Sequence, residues 1–287
     1  MKRLAVSRLK EDFGLSIKRA CRLVQLSRSS FHYRSTAKNN EPQVIARMKE
    51  LIEGNRNMGF VMLHPILRRE GLVVNHKRTW RIYREQNLTI KLRKRSKRVS
   101  MNRLVLAEPT KPNQHWAMDF VQDSLWSGRK FKILTIVDIF GKESLALEAD
   151  FSINGLRVTR VLDWLIVTRG LPEAITIDNG PEFAGQAMDA WAYQHGVKLN
   201  FITPGKPIEN AFIESFNGRF RHECLNQHYF ATLQEAKEIA EKWRINYNTF
   251  RPHSSLKGQT PDAFVKAWKE ENQQPKNQEI LLEGCTA

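Results

Sequence analysis

Three acids in this sequence of 287 residues have the type and the setting for metal chemistry. Asp119 interrupts the apolar stretch HWAMDFVQ, in which Trp116, Met118 and Phe120 alternate with Ala117, Asp119 and Val121. Asp178 ends the run EAITID and is followed by Asn-Gly-Pro. Glu214 lies in ENAFIESFNGRFRHECL, where Ile213, Phe216 and Phe220 mark an apolar stripe at helical spacing. Asn210, Glu214, Asn217 and Arg221 form the stripe beside it. A charge within a central strand is costly unless something compensates it, and ligands of open α/β sheets gather at the carboxyl ends of strands. Oxygen donors without Cys or paired His favour Mg²⁺ or Mn²⁺ over Zn²⁺. Two such ions ~4 Å apart activate an attacking oxygen and stabilise a leaving one at a phosphodiester. Glu214 and Arg221, two helical turns or ~10 Å apart, would let one helix face metal and phosphate together. Each acid also has a purely structural explanation: a hydrogen-bonded core Asp, a turn-forming Asp, a solvated Glu. Asp138, Glu209 and Glu223 stay open as further candidates, whereas His195, His222 and His228 are scattered. The residues lead to metal-dependent phosphoryl chemistry on nucleic acid and no further.

Charge supplies the nucleic acid. The chain carries 46 Lys+Arg against 30 Asp+Glu, a net +16. Residues 1–100 hold 25 of the basic and 7 of the acidic residues, a net +18, so the remainder is close to neutral. A polyanion-binding end on a near-neutral body is the pattern expected of a DNA-binding protein. Cys21, Cys224 and Cys285 make neither a CxxC pair nor an even framework, which excludes a disulfide scaffold and a cysteine zinc site. No apolar run reaches the ~20 residues of a bilayer span, and no signal-peptide core opens the chain. The expectation is a soluble protein of a reducing compartment whose partner is nucleic acid and not a membrane.

The elements that must position the acids are read from periodicity. Residues 16–34 suggest two short helices in a helix-turn-helix spacing, with Ser27 capping the second, which carries Arg28, His32 and Arg34. Residues 43–88 suggest a helix in VIARMKELIEG, a second with Pro65 in its first turn and Gly71 at its end, and a third capped by Asn75. The third puts Trp80 and Tyr83 on one side and Lys77, Arg78, Arg81 and Arg84 around the rest, as a groove-entering helix would. KLRKRSKR contributes Lys91, Arg93, Lys94, Arg95, Lys97 and Arg98 as a phosphate-binding arm. From residue 113 the pattern predicts three meandering strands with turns at Ser127-Gly128 and Gly141-Lys142. A helix over 153–169, a fourth strand ending at Asp178, a helix starting at Pro181 and a fifth strand at VKLNFIT come next, then helices near 209–225 and 232–249. Strands that meander and then alternate with helices predict a mixed α/β sheet covered on both faces. The segments divide as 1–40 helix-turn-helix-like, 41–90 helical and DNA-binding, 91–112 basic linker, 113–270 catalytic core, and 271–287 loose polar tail.

The same residues carry a resemblance. Asp178 and Glu214 have 35 residues between them, with Asp119 on the first strand. HWAMDF, DNGPEF, PGKPIENAFIESFNGRFRHECLN, YNTFRPHSSLKGQTP and REGLVVNHKRTWRIYRE complete the pattern, which spans nearly the whole chain. The sequence resembles the catalytic, second-reading-frame subunit of bacterial insertion-sequence transposases that share the retroviral-integrase core. The resemblance implies a ribonuclease-H-like catalytic core with Asp119, Asp178 and Glu214 binding two Mg²⁺ or Mn²⁺ ions. It also implies a DNA contact at Arg221, and Asn217 on the same stripe is expected to contact DNA beside it. The implied activity is hydrolytic cleavage at the element's ends, then attack of the freed 3′-hydroxyl on target DNA, by a homo-oligomer assembled on double-stranded DNA. In this family an upstream reading frame often supplies a further helix-turn-helix, so its product is an expected partner. Gly59-Phe-Val-Met-Leu stands where relatives carry a basic pair after Gly-Tyr. Two other readings compete. One is a catalytically inactive DNA-binding repressor descended from a transposase; the other is a metal nuclease that cleaves without joining.

Overall fold

The computed structural model describes residues 2–33, 40–90, 109–180, 182–202 and 211–273. Arg34, Lys91, Arg93, Lys94, Arg95, Lys97, Arg98, Pro181, Glu209, Asn210 and Cys285 lie outside the described residues. The chain divides into two compact units, residues 1–43 and the rest.

The first unit is three helices, α1 (Lys2–Phe13), α2 (Ile17–Leu23) and α3 (Arg28–His32). Ser27 caps α3 as expected, its Oγ accepting from Ser30 N–H, and Ser16, which the sequence reading did not single out, caps α2 by accepting from Arg19 N–H. Each satisfies a donor that the first turn of a helix leaves without an internal partner. Val6, Ala20 and Cys21 are buried between the helices. Helix α1 was not read from the sequence, because its apolar residues are diluted by Lys and Arg.

The second unit begins with α4 (Glu41–Gly54), α5 (Phe60–Arg69) and α6 (His76–Glu85). They close on a core of Val44, Met48, Leu51, Leu63, Ile66, Leu67, Ile82 and Tyr83. Asn75 caps α6 through Lys77 N–H at 2.9 Å, as expected. Pro65 corrects the expectation: it lies inside α5, which starts five residues earlier behind Gly59. A proline inside a helix costs ~3 kcal/mol. Burying Leu63, Ile66 and Leu67 on one face is worth ~1.5–3 kcal/mol each and outweighs that cost.

A five-stranded sheet follows, built from β1 (His115–Ser124), β2 (Lys130–Asp138), β3 (Ser144–Asp150), β4 (Ala174–Ile177) and β5 (Lys198–Phe201). Its order is β3-β2-β1-β4-β5, antiparallel across the first three strands and parallel across β1, β4 and β5. The two tight turns use left-handed backbone at Gly128 (φ +83°) and Lys142 (φ +56°). Alternation along the strands feeds two cores. Ala117, Val121, Ile133 and Val137 face α9 (Ala211–Glu223) and α10 (Leu233–Thr249) through Phe216, Phe220 and Tyr247. Trp116, Met118, Leu134 and Ile175 face α7 (Gly155–Arg169) and α8 (Gln186–His195) through Leu162, Leu165 and Trp191. This is the ribonuclease-H-like mixed sheet, flanked by helices and preceded by a helical region.

Two further departures have physical causes. Helix α8 starts at Gln186 and not at Pro181, because Phe183 is fully buried and stacked on Phe120 at 4.9 Å. The segment before α8 therefore turns inward, with Phe183 and Ala184 N–H donating to Gly180 O. A last helix, α11 (Pro261–Gln273), extends past the expected end of the core at residue 270. Phe264 and Trp268 anchor it against Phe140 at 5.4 and 5.8 Å. Among the described residues no helix is long and apolar enough to cross a membrane.

Candidate active site

Asp119 lies in the middle of β1, where Thr135 of β2 pairs opposite it. One carboxylate oxygen accepts from Phe120 N–H at 2.7 Å and the other from Asn217 Nδ2 at 2.8 Å. The Thr135 hydroxyl stands 2.9 Å from Asn217 Oδ1 and 3.0 Å from Asp119 O, with one proton to give. The Asn217 amide is thus fixed with its NH₂ toward the acid. Asp178 follows the last residue of β4 and turns the chain by accepting from Gly180 N–H at 3.0 Å. A Cβ on residue 180 would stand 2.9 Å from Asp178 Oδ1, so a larger residue there would displace the Asp178 carboxylate. Asn179 Nδ2 donates to Ile202 O at 2.8 Å and ties the loop to the chain after β5. Glu182, two residues past Gly180, pairs with Lys132 of β2.

Glu214 occupies the first turn of α9, exposed, where the partial positive charge of a helix N-terminus favours a carboxylate. Ile213, Phe216 and Phe220 are buried against the sheet and fix the register that puts Glu214 and Asn217 on the side of Asp119. Burial pushes the Asp119 carboxyl up to about 6; Asp178 and Glu214 add their negative charge, while the bonds from Phe120 and Asn217 oppose the shift. Acids from β1, the end of β4 and α9 therefore act electrostatically on one point. Among the described residues, no three His, Cys, Asp or Glu side chains stand close enough together to ligate one ion. The chemistry of the donor set, three oxygen acids with no Cys or His among them, fits a hard divalent cation, whose charge would offset the cost of burying the Asp119 carboxylate.

Arg221 lies further along α9, with Nη2 2.5 Å from Gln122 O and Nη1 3.9 Å from Asp123. It thus ties α9 to the end of β1 on the side of Asn217. Arg28 is exposed on α3, in the other unit. Lys77 and Arg81 are exposed on α6, with Arg81 paired to Glu85 at 2.8 Å, and Arg78 is half-buried. Two of the three competing acids are occupied elsewhere, and the third, Glu209, lies outside the described residues. Asp138 is buried and accepts from Phe140 and Gly141 N–H in the turn after β2. Glu223 is held by Arg251. Sequence reasoning missed the fixed orientation of Asn217 toward Asp119 and the Lys132–Glu182 pair beside Asp178. The first was available in part, since Asn217 lies three residues after Glu214 on the same stripe. The second joins side chains 50 residues apart and left no local signal.

A family model described as integrase core domain matches residues 109–207, and another of the same description matches residues 195–261. A model described as HTH-like domain matches residues 38–96. The chain is 46% identical over 260 residues to a 31.7 kDa protein of insertion element IS407 from Burkholderia multivorans, covering 91% of this chain and 94% of that one. It is 44% identical over 266 residues to a 39.2 kDa protein of insertion element IS476 from Xanthomonas euvesicatoria, covering 93% and 77%. Among solved structures, the HTLV-2 integrase catalytic core domain in complex with magnesium aligns with a TM-score of 0.42 and 18% identity, covering 54% of this chain and 98% of that one.

Proposed function

This chain belongs to the family of bacterial insertion-sequence transposases with an integrase-type core, and on that premise we propose that Asp119, Asp178 and Glu214 hold the metal ions with which it cuts and joins DNA. Transposition and DNA integration are the family's work. The finer reading is cleavage at the element's ends by water, followed by attack of the freed 3′-hydroxyl on a target phosphodiester. What supports it is geometry: β1, which bears Asp119, pairs with β4, which Asp178 follows, and Asn217, one turn after Glu214 on α9, donates to Asp119. Two Mg²⁺ or Mn²⁺ ions, when bound, supply charge that lowers the proton affinity of the attacking oxygen and stabilises the leaving one. The chain's residues do the positioning. Asn217 orients Asp119, the Gly180 turn orients Asp178, and the buried face of α9 presents Glu214.

In this reading residues 113–270 are the catalytic core. Residues 1–40 and 41–90 contact DNA through Arg28, Lys77, Arg78 and Arg81. The basic run of residues 91–98 and Arg221 contact phosphates, and several copies assemble on the element's ends in the cytoplasm, at the nucleoid. The test is to incubate the protein with a labelled duplex carrying its element's end, a target plasmid and Mn²⁺. Metal-dependent cleavage with joined product is the expected result. Cleavage without joining means a simple nuclease, and binding without cleavage means a repressor.

Asn217→Ala probes the positioning. Removing a donor from a carboxylate raises its proton affinity further, so the acid limb of the pH–rate profile should move to higher pH. We expect a several-fold loss of cleavage at pH 6 that narrows by pH 8. A loss uniform in pH would show that Asn217 acts only through packing.

A further inference from the structure

Away from the carboxylates, α5 and the loop after α10 face each other across a cavity of about 620 Å³. His64, Arg68 and Arg69 line it from α5; Lys257, with Ser254 and Gln259, lines it from the loop. No Asp or Glu does so among the described residues. Glu70, the acid adjoining Arg69, is engaged by Arg47 through bonds of 3.0 and 2.6 Å. Arg69 itself donates to a carbonyl, Phe250 O, at 2.7 Å, and its guanidinium lies 5.6 Å from the Phe250 ring. The histidines at this cleft are neutral. Burial, then His76 and Arg68, lower the proton affinity of His64. Burial, then Arg251 and Arg219, bring His253 in the loop down to about 3. The lining is thus cationic; Glu70, itself bonded to Arg47, acts on Arg69 from outside it.

The loop's backbone is shaped for this. Ser254–Leu256 form one 3₁₀ turn, closed by His253 N–H donating to Gln259 O and Gly258 N–H donating to His253 O. Lys257 then adopts φ +54°, ψ 31°, a left-handed conformation that a lysine takes at a cost and that Gly or Asn would take readily. Gly258 follows at φ +83°, and a Cβ there would stand 3.4 Å from Pro65 Cβ, so the loop abuts α5 at that point. A strained backbone that holds a cation beside two others is an outlier in want of a function.

We infer that this cleft is a phosphodiester subsite, in which Arg68, Arg69 and Lys257 grip the backbone of bound DNA. Arginine forks, an ammonium and neutral donors such as Ser254 and Gln259 match phosphate oxygens, and contacts of this kind set register without reading bases. The inference rests on the reading that DNA is the substrate. It ties the helical region of residues 44–90 to the catalytic core through one strand of the substrate. It also assigns a role to the segment RPHSSLKG, which the cutting chemistry leaves unused. A free phosphate ion shares the chemistry, and the experiment separates the two.

Wild type, Arg68→Gln/Lys257→Gln and Lys257→Gly are titrated with a fluorescent duplex at several KCl concentrations. Each phosphate contact contributes ~0.9 to the slope of log K against log salt. The double variant should therefore flatten the slope by about 1–2 and bind roughly 10-fold or more weakly at low salt. Lys257→Gly removes the cation and the backbone strain together. It should melt at or above the wild-type temperature while flattening the slope by about 1, so lost affinity cannot be ascribed to misfolding. Slopes equal to wild type in both variants overturn the inference. So does the case in which inorganic phosphate raises the melting temperature of wild type alone while duplex binding is unchanged, because the cleft then serves a free anion. If wild type itself fails to bind the duplex, the DNA reading falls first and this inference with it.

Discussion

Asp119→Asn should abolish strand cleavage, by a factor of ~10³ or more, and leave duplex affinity within a few-fold of wild type. A loss of that size corresponds to ~4 kcal/mol of transition-state stabilisation, which is reasonable for removing the charge of a ligand that holds a catalytic ion. The same substitution should stabilise the metal-free fold at neutral pH. The Asp119 carboxyl is pushed up to about 6 in the folded protein, against ~3.9 for an unfolded chain. The folded state therefore holds the proton more tightly. Wild-type stability falls as pH rises from about 4 to about 6, and the deficit persists above that range. Asn carries no such deficit, so the variant should gain ~1–3 kcal/mol in EDTA at pH 7–8 and nothing below pH 4. Added Mn²⁺ should then raise the melting temperature of wild type and leave that of the variant nearly unchanged. Cleavage that survives the substitution would remove Asp119 from the site and return Asp138 to consideration. Full inactivity without the pH-dependent stability difference would remove the electrostatic convergence.

Breaking the Glu223–Arg251 pair should cost the fold ~3–5 kcal/mol, the range for stranding one partner of a buried ion pair. The pair is two-pronged, with bonds of 2.7 and 2.5 Å, and its side chains are 8% and 11% exposed. It joins the end of α9 to the loop after α10. Glu223→Ala would leave the Arg251 guanidinium buried beside Tyr247, whose ring it also contacts at 5.7 Å. Urea denaturation of Glu223→Ala, Arg251→Ala and the double variant measures the coupling. The double variant should lose much less than the sum of the singles. The fraction of Glu223→Ala that stays folded should cleave DNA at the wild-type rate per molecule. A cost below ~1 kcal/mol would make the pair an ordinary surface contact, and inactive folded protein would return Glu223 to the list of catalytic acids.

The reach of the sequence can be judged from these same residues. Asp119 could be placed on its face of β1 because period-two alternation is a local property, and Glu214 on its stripe because helical spacing is too. Ser27 and Asn75 were legible as caps because a cap acts over two or three residues. Pro65 and Phe183 were misjudged because burial far along the chain overrode a local rule: a proline retained inside α5, a turn drawn inward before α8. Glu223 could not be told from a catalytic acid, since its partner is 28 residues away and nothing near it announces a buried arginine. The orientation of Asn217 likewise depends on Thr135 of β2, 82 residues away.

The three acids come from β1, the end of β4 and α9, and this dispersal sets the order in which a growing chain acquires its properties. Residues 1–90, which hold 19 Lys+Arg against 7 Asp+Glu, leave the ribosome before any of the acids. Asp119 and Asp178 follow on a sheet that lacks one helical cover. Glu214 arrives 95 residues after Asp119, on a helix that packs only when α10 brings Trp243 and Tyr247 over Phe216 and Phe220. At ~5–20 residues per second, on the order of ten seconds separate the emergence of the helical region from that of the last of the three acids. A chain interrupted before α9 carries the helical region and two of the three acids but never the third.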